Sequence, residues 1–376
     1  MRIIVAPDSF KECLTAPEVA KAISQGWRRA APNDELIELP LADGGEGTTD
    51  ILVRAKHGVL QDCQVEGPLG TQVIAYYGVI DEGQTAIIEV AQASGLQRVS
   101  ENERDALRSS SYGTGELMSA ALAAGAKKLV IGLGGSACTD AGAGMLQALG
   151  AKLTDQQGHD ILRGGGALNT LVNIDLSVVL ERLSGVQVFV ATDVTNPLLG
   201  PTGTAQIFSP QKGAGANEVA LLEFGIAHFS ACASVHGFDV SSFPGSGAAG
   251  GIGGALGGFL GAQIGSGVHT VMDALDFEQM LHGADLVITG EGSMDSQSAA
   301  GKVPAGVCEL AKRNGVPVIG MAGVVGENLD ALYDIGLVAV FSIVQGPSSK
   351  LDAMNNAPQQ LAHTAEQIAR VIHATR

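Results

Sequence analysis

Short hydrophobic runs recur along the chain, and many of them end in loops of glycine and small polar residues. Arg2–Ala6 reads as a buried strand, and Pro7-Asp8-Ser9-Phe10-Lys11 stands at its carboxyl end. Thr15-Ala16-Pro17-Glu18 has the form of a capping box with proline in the first turn. Val19, Ile23 and Trp27 then fall on one face of a helix reaching about Ala30. Glu35–Leu41 reads as a second strand, followed by Ala42-Asp43-Gly44-Gly45-Glu46-Gly47-Thr48 and a helix to about Ala55. Such a βαβα opening predicts an open parallel sheet. Ligands of such sheets gather at the carboxyl ends of the strands, where Asp8, Lys11, Asp43 and Glu46 all fall.

From about Gly67 the pattern changes to strict alternation. Val73–Val79 and Thr85–Val90 read as an antiparallel pair turning at Asp81-Glu82-Gly83. Glu116–Ala124 reads as a helix stopped by Gly125. Leu129–Leu133 is a buried strand that runs into Gly134-Gly135-Ser136, with Thr139 and Asp140 before a helix over Ala141–Leu149. Strand, glycine turn and helix N-terminus would aim free N–H groups and a positive dipole end at one spot, which suits phosphate. The competing view is a tight strand–helix turn without a ligand. Val186–Ala191 is another buried strand, with Asp193 and Asn196 at its end; Lys212 lies in a further loop. Ala216–His236 reads as a helix, and Pro244–Gly267 as a glycine loop entering a helix of small residues.

From Asp285 the βα texture returns. Leu286–Thr289 is a strand followed by the polar run Gly290-Glu291-Gly292-Ser293-Met294-Asp295-Ser296-Gln297-Ser298, with Gly301-Lys302 beyond. Val316–Met321 and Leu337–Ile343 are strands, and Gln359–Ala374 is a closing helix. The two ends resemble each other more than either resembles the middle. The expected architecture is therefore α/β, with one parallel-sheet domain built from residues 1–66 and 285–376. A second domain, 67–284, is inserted, and a cleft between them is expected to collect the strand-end loops.

Composition narrows the function. A net charge of −17 makes nucleic acid and anionic membranes poor partners. An anionic ligand would need local lysine, backbone N–H groups or a metal. The 52 glycines lack a period and cluster in loops, as in a protein that wraps small ligands with backbone. Five scattered cysteines without a CxxC pair point to reduced thiols and a cytoplasmic protein. The uncharged stretch Phe243–Thr270 is too glycine-rich to read as a membrane span. No Walker sequence, protein-kinase set, GxSxG or HExxH occurs.

Seven stretches together resemble the bacterial glycerate kinase type-1 family: APDSFKECLTAPEVA, PLADGGEGT, YGTGEL, GLGGSACTDAGAGMLQALGA, DVTNPLLGPTGTAQIFSPQKGA, PGSGAAGGIGGAL and ITGEGSMDSQSAAGKVP. The resemblance covers essentially the whole chain. It implies ATP-dependent phosphorylation of D-glycerate with Mg²⁺, most simply to 2-phosphoglycerate, by a monomer or homodimer. It also implies a discontinuous Rossmann-like domain and a second α/β domain of mixed sheet. Carried onto the motifs here, binding is expected at Asp8, Ser9, Gly44, Gly45, Glu46, Asp140, Asn196, Glu291 and Gln297. Gly134, Gly135 and Ser136 would cradle phosphates, and Lys11, Lys212 and Lys302 would neutralise them. Asp193, Asp43 and Asp295 are the candidate Mg²⁺ carboxylates, with Asp193 and then Asp43 also candidate base; Lys11 would assist. The chain departs from the family at Ser293, usually basic, at Thr139, often Asn, and at Cys13, more usually Ser. Two other functions fit parts of the pattern. Gly132-x-Gly134-x-x-Ala137 with Asp155 beyond suits an NAD(P)-dependent oxidoreductase acting on a small hydroxy acid. A non-catalytic metabolite-binding protein would also have two domains and a cleft.

Overall fold

The computed structural model describes residues 1–299 and 301–374. Among them the strands, in chain order, are β1 (Arg2–Val5), β2 (Glu35–Glu38), β3 (Val59–Glu66), β4 (Gln72–Ile80), β5 (Thr85–Glu89), β6 (Lys128–Gly132), β7 (Lys152–Thr154), β8 (Asn173–Asp175), β9 (Gln187–Ala191), β10 (Gln263–Gly265), β11 (Leu286–Met294), β12 (Val318–Val325) and β13 (Leu337–Ser342). The chain forms two compact units: Met1–Asp43 with Val268–Arg376, and Gly44–Gly267.

The first unit carries a five-stranded sheet in the order β13-β12-β11-β1-β2, parallel throughout. Ile3, Ile4 and Val5 of β1 are fully buried, as a parallel sheet covered on both faces requires. The capping box forms: the Thr15 N–H donates to Glu18 Oε2 at 2.9 Å. The Ala16–Ala30 helix then buries Val19, Ile23 and Trp27. It packs on the Ala357–Ala374 helix, whose small residues Ala362, Ala365 and Ala369 allow close approach. Gly26 lies so near Ala362 that a Cβ would overlap the carbonyl there. Asp34 ties the same region together. It accepts from the Met1 ammonium at 2.8 Å and the Trp27 indole at 2.9 Å, and the His373 ring lies 2.8 Å away. Burial alone would raise the Asp34 carboxyl, but these three hydrogen bonds outweigh it and hold the group down at about 2.

The second unit carries a mixed six-stranded sheet, β10-β9-β6-β5-β4-β3, in which β3–β4 and β4–β5 are antiparallel and the remaining pairs parallel. β7 and β8 form a separate antiparallel pair. The Ala216–Val235 helix is long and apolar enough to cross a membrane, yet it contributes Leu222, Ile226, Phe229 and Ala233 to this unit's core.

Four sequence expectations need correction. The unit boundaries fall at 43/44 and 267/268, not near 66 and 285. On one side, β3 pairs along its whole length with β4, which draws residues 44–66 into the second unit. On the other, Val268, Val271 and Met272 are buried, and Gly306 sits close against Val268 and Met272. The strand expected to stop at Thr289 continues to Met294, because β12 offers a parallel partner as far as Val325. The helix expected from Ala141 begins at Ala143, since Ala141 and Gly142 take φ of 51° and 76°.

Gly26→Ala should gain up to about 1 kcal/mol of helix propensity. The clash with main chain outweighs this, as overpacking costs typically about 1–3 kcal/mol; a lower melting temperature is the expected result. Asp34→Asn should destabilise most at neutral pH. Because the folded-state carboxyl titrates at about 2, below its unfolded value, the wild-type advantage exists above about pH 4 and shrinks as pH falls toward 2. Urea denaturation of both proteins across that range measures it.

Candidate active site

In the first unit, the pairing of β1 with β11 extends past the end of β1: the Ala6 N–H donates to the Ile288 carbonyl at 2.7 Å and the Asp8 N–H to the Gly290 carbonyl at 2.8 Å. This fixes Asp8 at the carboxyl edge of the sheet, where it is buried. Its Oδ1 accepts from the Ser9 N–H at 2.6 Å. Burial first, and the nearby Asp43 carboxylate second, push the Asp8 carboxyl up to about 8 against the opposing effects of the Ser9 N–H and Lys11. Lys11 pairs with Asp43 at 3.8 Å, and Lys302 with Glu291 at 3.8 Å. Glu291 is raised by burial, with Ser298 and Lys302 opposing. Its Oε1 is buried without a hydrogen-bond partner.

Asp8, Ser9, Lys11, Glu291 and Lys302 line one cavity of about 760 Å³. It lies over the carboxyl ends of β1, β11, β12 and β13. The Lys350–Asn355 and Ala357–Ala374 helices contribute Met354, Ala357 and Gln360 to its wall. Ser293 also lines it, as a β11 residue in register with Val324. Asp295 and Gln297 instead form a turn of their own, the Gln297 N–H donating to Asp295 Oδ1 at 2.8 Å.

The second unit treats its glycine loops differently from the sequence expectation. A Cβ on Gly132 would meet the Gly44 carbonyl, one on Gly134 would meet Gly45, and one on Gly44 would meet the Ala191 carbonyl. These glycines are used on each other's backbone. The helix end expected to hold an external anion is filled from within. Asp140, fully buried, accepts from the Ser111 N–H at 2.8 Å, the Ser111 hydroxyl at 2.9 Å and the Gly142 and Gly144 N–H groups at 3.2 Å. The dinucleotide fingerprint fails on the same stretch. Gly95 bridges Ser136, the Ala137 N–H donates to the Ser94 carbonyl, and no helix follows until Ala143.

Lys212 is buried, its Nζ donating to Ser136 Oγ at 3.0 Å and the Cys138 carbonyl at 2.6 Å, and burial lowers its pKa. Asp193 stands half-buried past the end of β9. Asn196 closes its own loop by donating to the Thr202 carbonyl at 2.8 Å, and Glu46 is exposed. Among the described residues, no three His, Cys, Asp or Glu side chains gather into a ready-made metal site.

Two features were given no role by the sequence pattern. Glu89, at the end of β5, is fully buried and caps the Thr48–Ala55 helix, accepting from the Thr49 N–H at 2.6 Å and the Gly47 N–H at 3.3 Å. Burial pushes it up to about 7 despite those bonds. A carboxylate ending a β-branched strand was the available signal. Gln360 on the cavity wall has no such signal, lying within an ordinary amphipathic helix.

Asp140→Ala would leave several buried N–H and O–H donors without an acceptor. It should cost roughly 2–4 kcal/mol, read as a lower urea midpoint.

The glycerate kinase family's sequence profile matches residues 3–373. A glycerate kinase of Bacillus subtilis strain 168 is 47% identical over 373 residues, covering 99% of this chain and 98% of that protein. The glycerate 2-kinase of Escherichia coli K12 is 46% identical over 374 residues, with coverage of 99% and 98%. A crystal structure of a glycerate kinase 2 candidate from Salmonella typhimurium LT2 aligns with a TM-score of 0.84 at 47% identity, covering 100% of this chain and 99% of that one. With profile, sequence relatives and fold agreeing over nearly every residue, the chain belongs to the glycerate kinase family.

Proposed function

We propose that the protein transfers the terminal phosphoryl group of ATP to a hydroxyl of D-glycerate, giving 2-phosphoglycerate, in the cytoplasm. The observation that carries this is the charged end of the first unit's cavity, where buried Asp8 and Glu291 stand with Lys11 and Lys302. Phosphoryl transfer asks mainly for position and charge neutralisation, which this set supplies. Lys11 and Lys302 offset phosphate charge in a chain that is itself acidic. The buried Oε1 of Glu291, which lacks a hydrogen-bond partner, suits Mg²⁺, which takes few protein carboxylates and keeps water and phosphate oxygens as its other ligands. When bound, Mg²⁺ would neutralise charge on the phosphates.

Asp8 is the proposed proton acceptor. As the glycerate oxygen bonds to phosphorus, its proton passes to the Asp8 carboxylate and the bond to ADP breaks. A base works best with a pKa near the operating pH, and burial beside Asp43 places Asp8 there. Asp43 would hold Lys11 in place by its ion pair. Asp193 is the rival base, on its position at the end of a buried strand.

A coupled ADP assay with ATP, Mg²⁺ and D-glycerate tests the activity, and NMR of the product tests the phosphorylated position; no turnover by folded protein would refute the function. For the base, kcat/KM should rise with pH and level off above about 8, since the carboxyl must be ionised to accept the proton. Asp8→Asn should lose that rise and lower kcat on the order of 10²-fold or more. If Asp193→Asn does this and Asp8→Asn does not, the role belongs to Asp193.

A further inference from the structure

The first unit's cavity has two unlike ends. The charged end holds Asp8, Lys11, Glu291 and Lys302. The other is largely apolar, with Val324, Ile343, Val344, Met354 and Ala357 on its wall and Lys350 at its rim. Val324 is 60% exposed, a large apolar side chain left open on a strand end. On the same wall stands Gln360, whose side-chain Oε1 has no hydrogen-bond partner.

We infer that this cavity seats the whole nucleotide, with adenine against Val324, Val344 and Met354, the Gln360 amide reading its amino edge, and the phosphates running to Lys11 and Lys302. The inference rests on the proposal that ATP is the phosphoryl donor and adds where it binds and how its base is chosen. Size favours it: about 760 Å³ falls within the roughly 300–1,000 Å³ of pockets for drug-sized ligands and far exceeds the needs of a three-carbon acid. Polarity favours it as well. Glycerate has almost no apolar surface to bury on the valine and methionine wall, whereas a purine has two apolar faces.

The carboxamide explains the choice of base. It offers one acceptor and two donors side by side. Adenine presents an amino donor beside a ring-nitrogen acceptor and can satisfy both; guanine presents two acceptors on the corresponding edge and can satisfy only one function of the amide. The rival seat, the glycine turn after β6, has its helix-end N–H groups taken by Asp140 and its Gly134 packed against Gly45.

Photolabelling of the intact protein with azido-ADP, followed by peptide mapping, locates the base. Label within residues 324–360 is expected, and label confined to 44–267 overturns the inference. By calorimetry, Gln360→Leu should weaken both nucleotides, ADP roughly five- to tenfold more than GDP, the worth of the one hydrogen bond by which they differ. Val344→Trp, which fills the apolar end, should weaken both nucleotides and leave D-glycerate binding as it was. If these variants spare ADP and impair glycerate, the cavity belongs to the acid and the inference fails. Turnover is measured separately on the wild type. ADP seated here without phosphorylation of glycerate would refute the proposed reaction and keep the seat; turnover with no label here would do the reverse.

Discussion

The parallel pairing of β1 with β11 is the constraint on which the first unit depends. It joins residues more than 280 positions apart in the chain, Ile3 beside Leu286 and Val5 beside Ile288. Because the ladder continues to the Asp8 N–H, it also brings Asp8 and Glu291 to the same edge of the sheet. A slip of one residue would turn every side chain of β1 to the opposite face. The full burial of Ile3, Ile4 and Val5 anchors β1 within the core, so apolar packing holds the strand that carries the polar groups at its end. The same packing removes water from Asp8, which is the first cause of its raised pKa. Core and chemistry are therefore one arrangement.

The glycines divide into two kinds of work. In the second unit, Gly44, Gly132 and Gly134 let strand-end loops touch main chain to main chain. In the first, Gly290 lets β11 approach β12 at the Met321 carbonyl, which keeps a strand going through a run that looks like a loop. In the first unit's cavity wall, the buried polar atoms left without a partner are on side chains, Glu291 and Gln360.

What could be read from the sequence follows from this division. β1, the first half of β11, β12 and β13 are largely apolar runs bounded by turn residues, and the loops beyond β1 and β11 name Asp8, Lys11 and Lys302 directly. β3 is not legible in the sequence because most of it faces water at a sheet edge, so Val59–Glu66 shows neither a run nor a clean alternation. The surroundings of Asp140 are not legible in the sequence because a carboxylate beside a helix start looks the same whether it repels an anion, binds a ligand through a metal, or caps the helix from within. Only the donors at Ser111, 29 positions earlier, distinguish these. The apolar wall of the cavity was invisible for a related reason. Met354 and Gln360 belong to helices whose pattern reports that one face is buried, and not what the face encloses.

The interrupted path of the chain also orders its synthesis. β1 and β2 leave the ribosome long before β11, β12 and β13, which complete their sheet. The Gly44–Gly267 unit is continuous and can close its own core in that interval. Until then β1, whose Ile3, Ile4 and Val5 are fully buried in the finished sheet, has β2 on one edge and nothing on the other. A nascent chain stalled in this state would display an unpaired, hydrophobic strand edge, the feature that recruits chaperones or other unfolded chains.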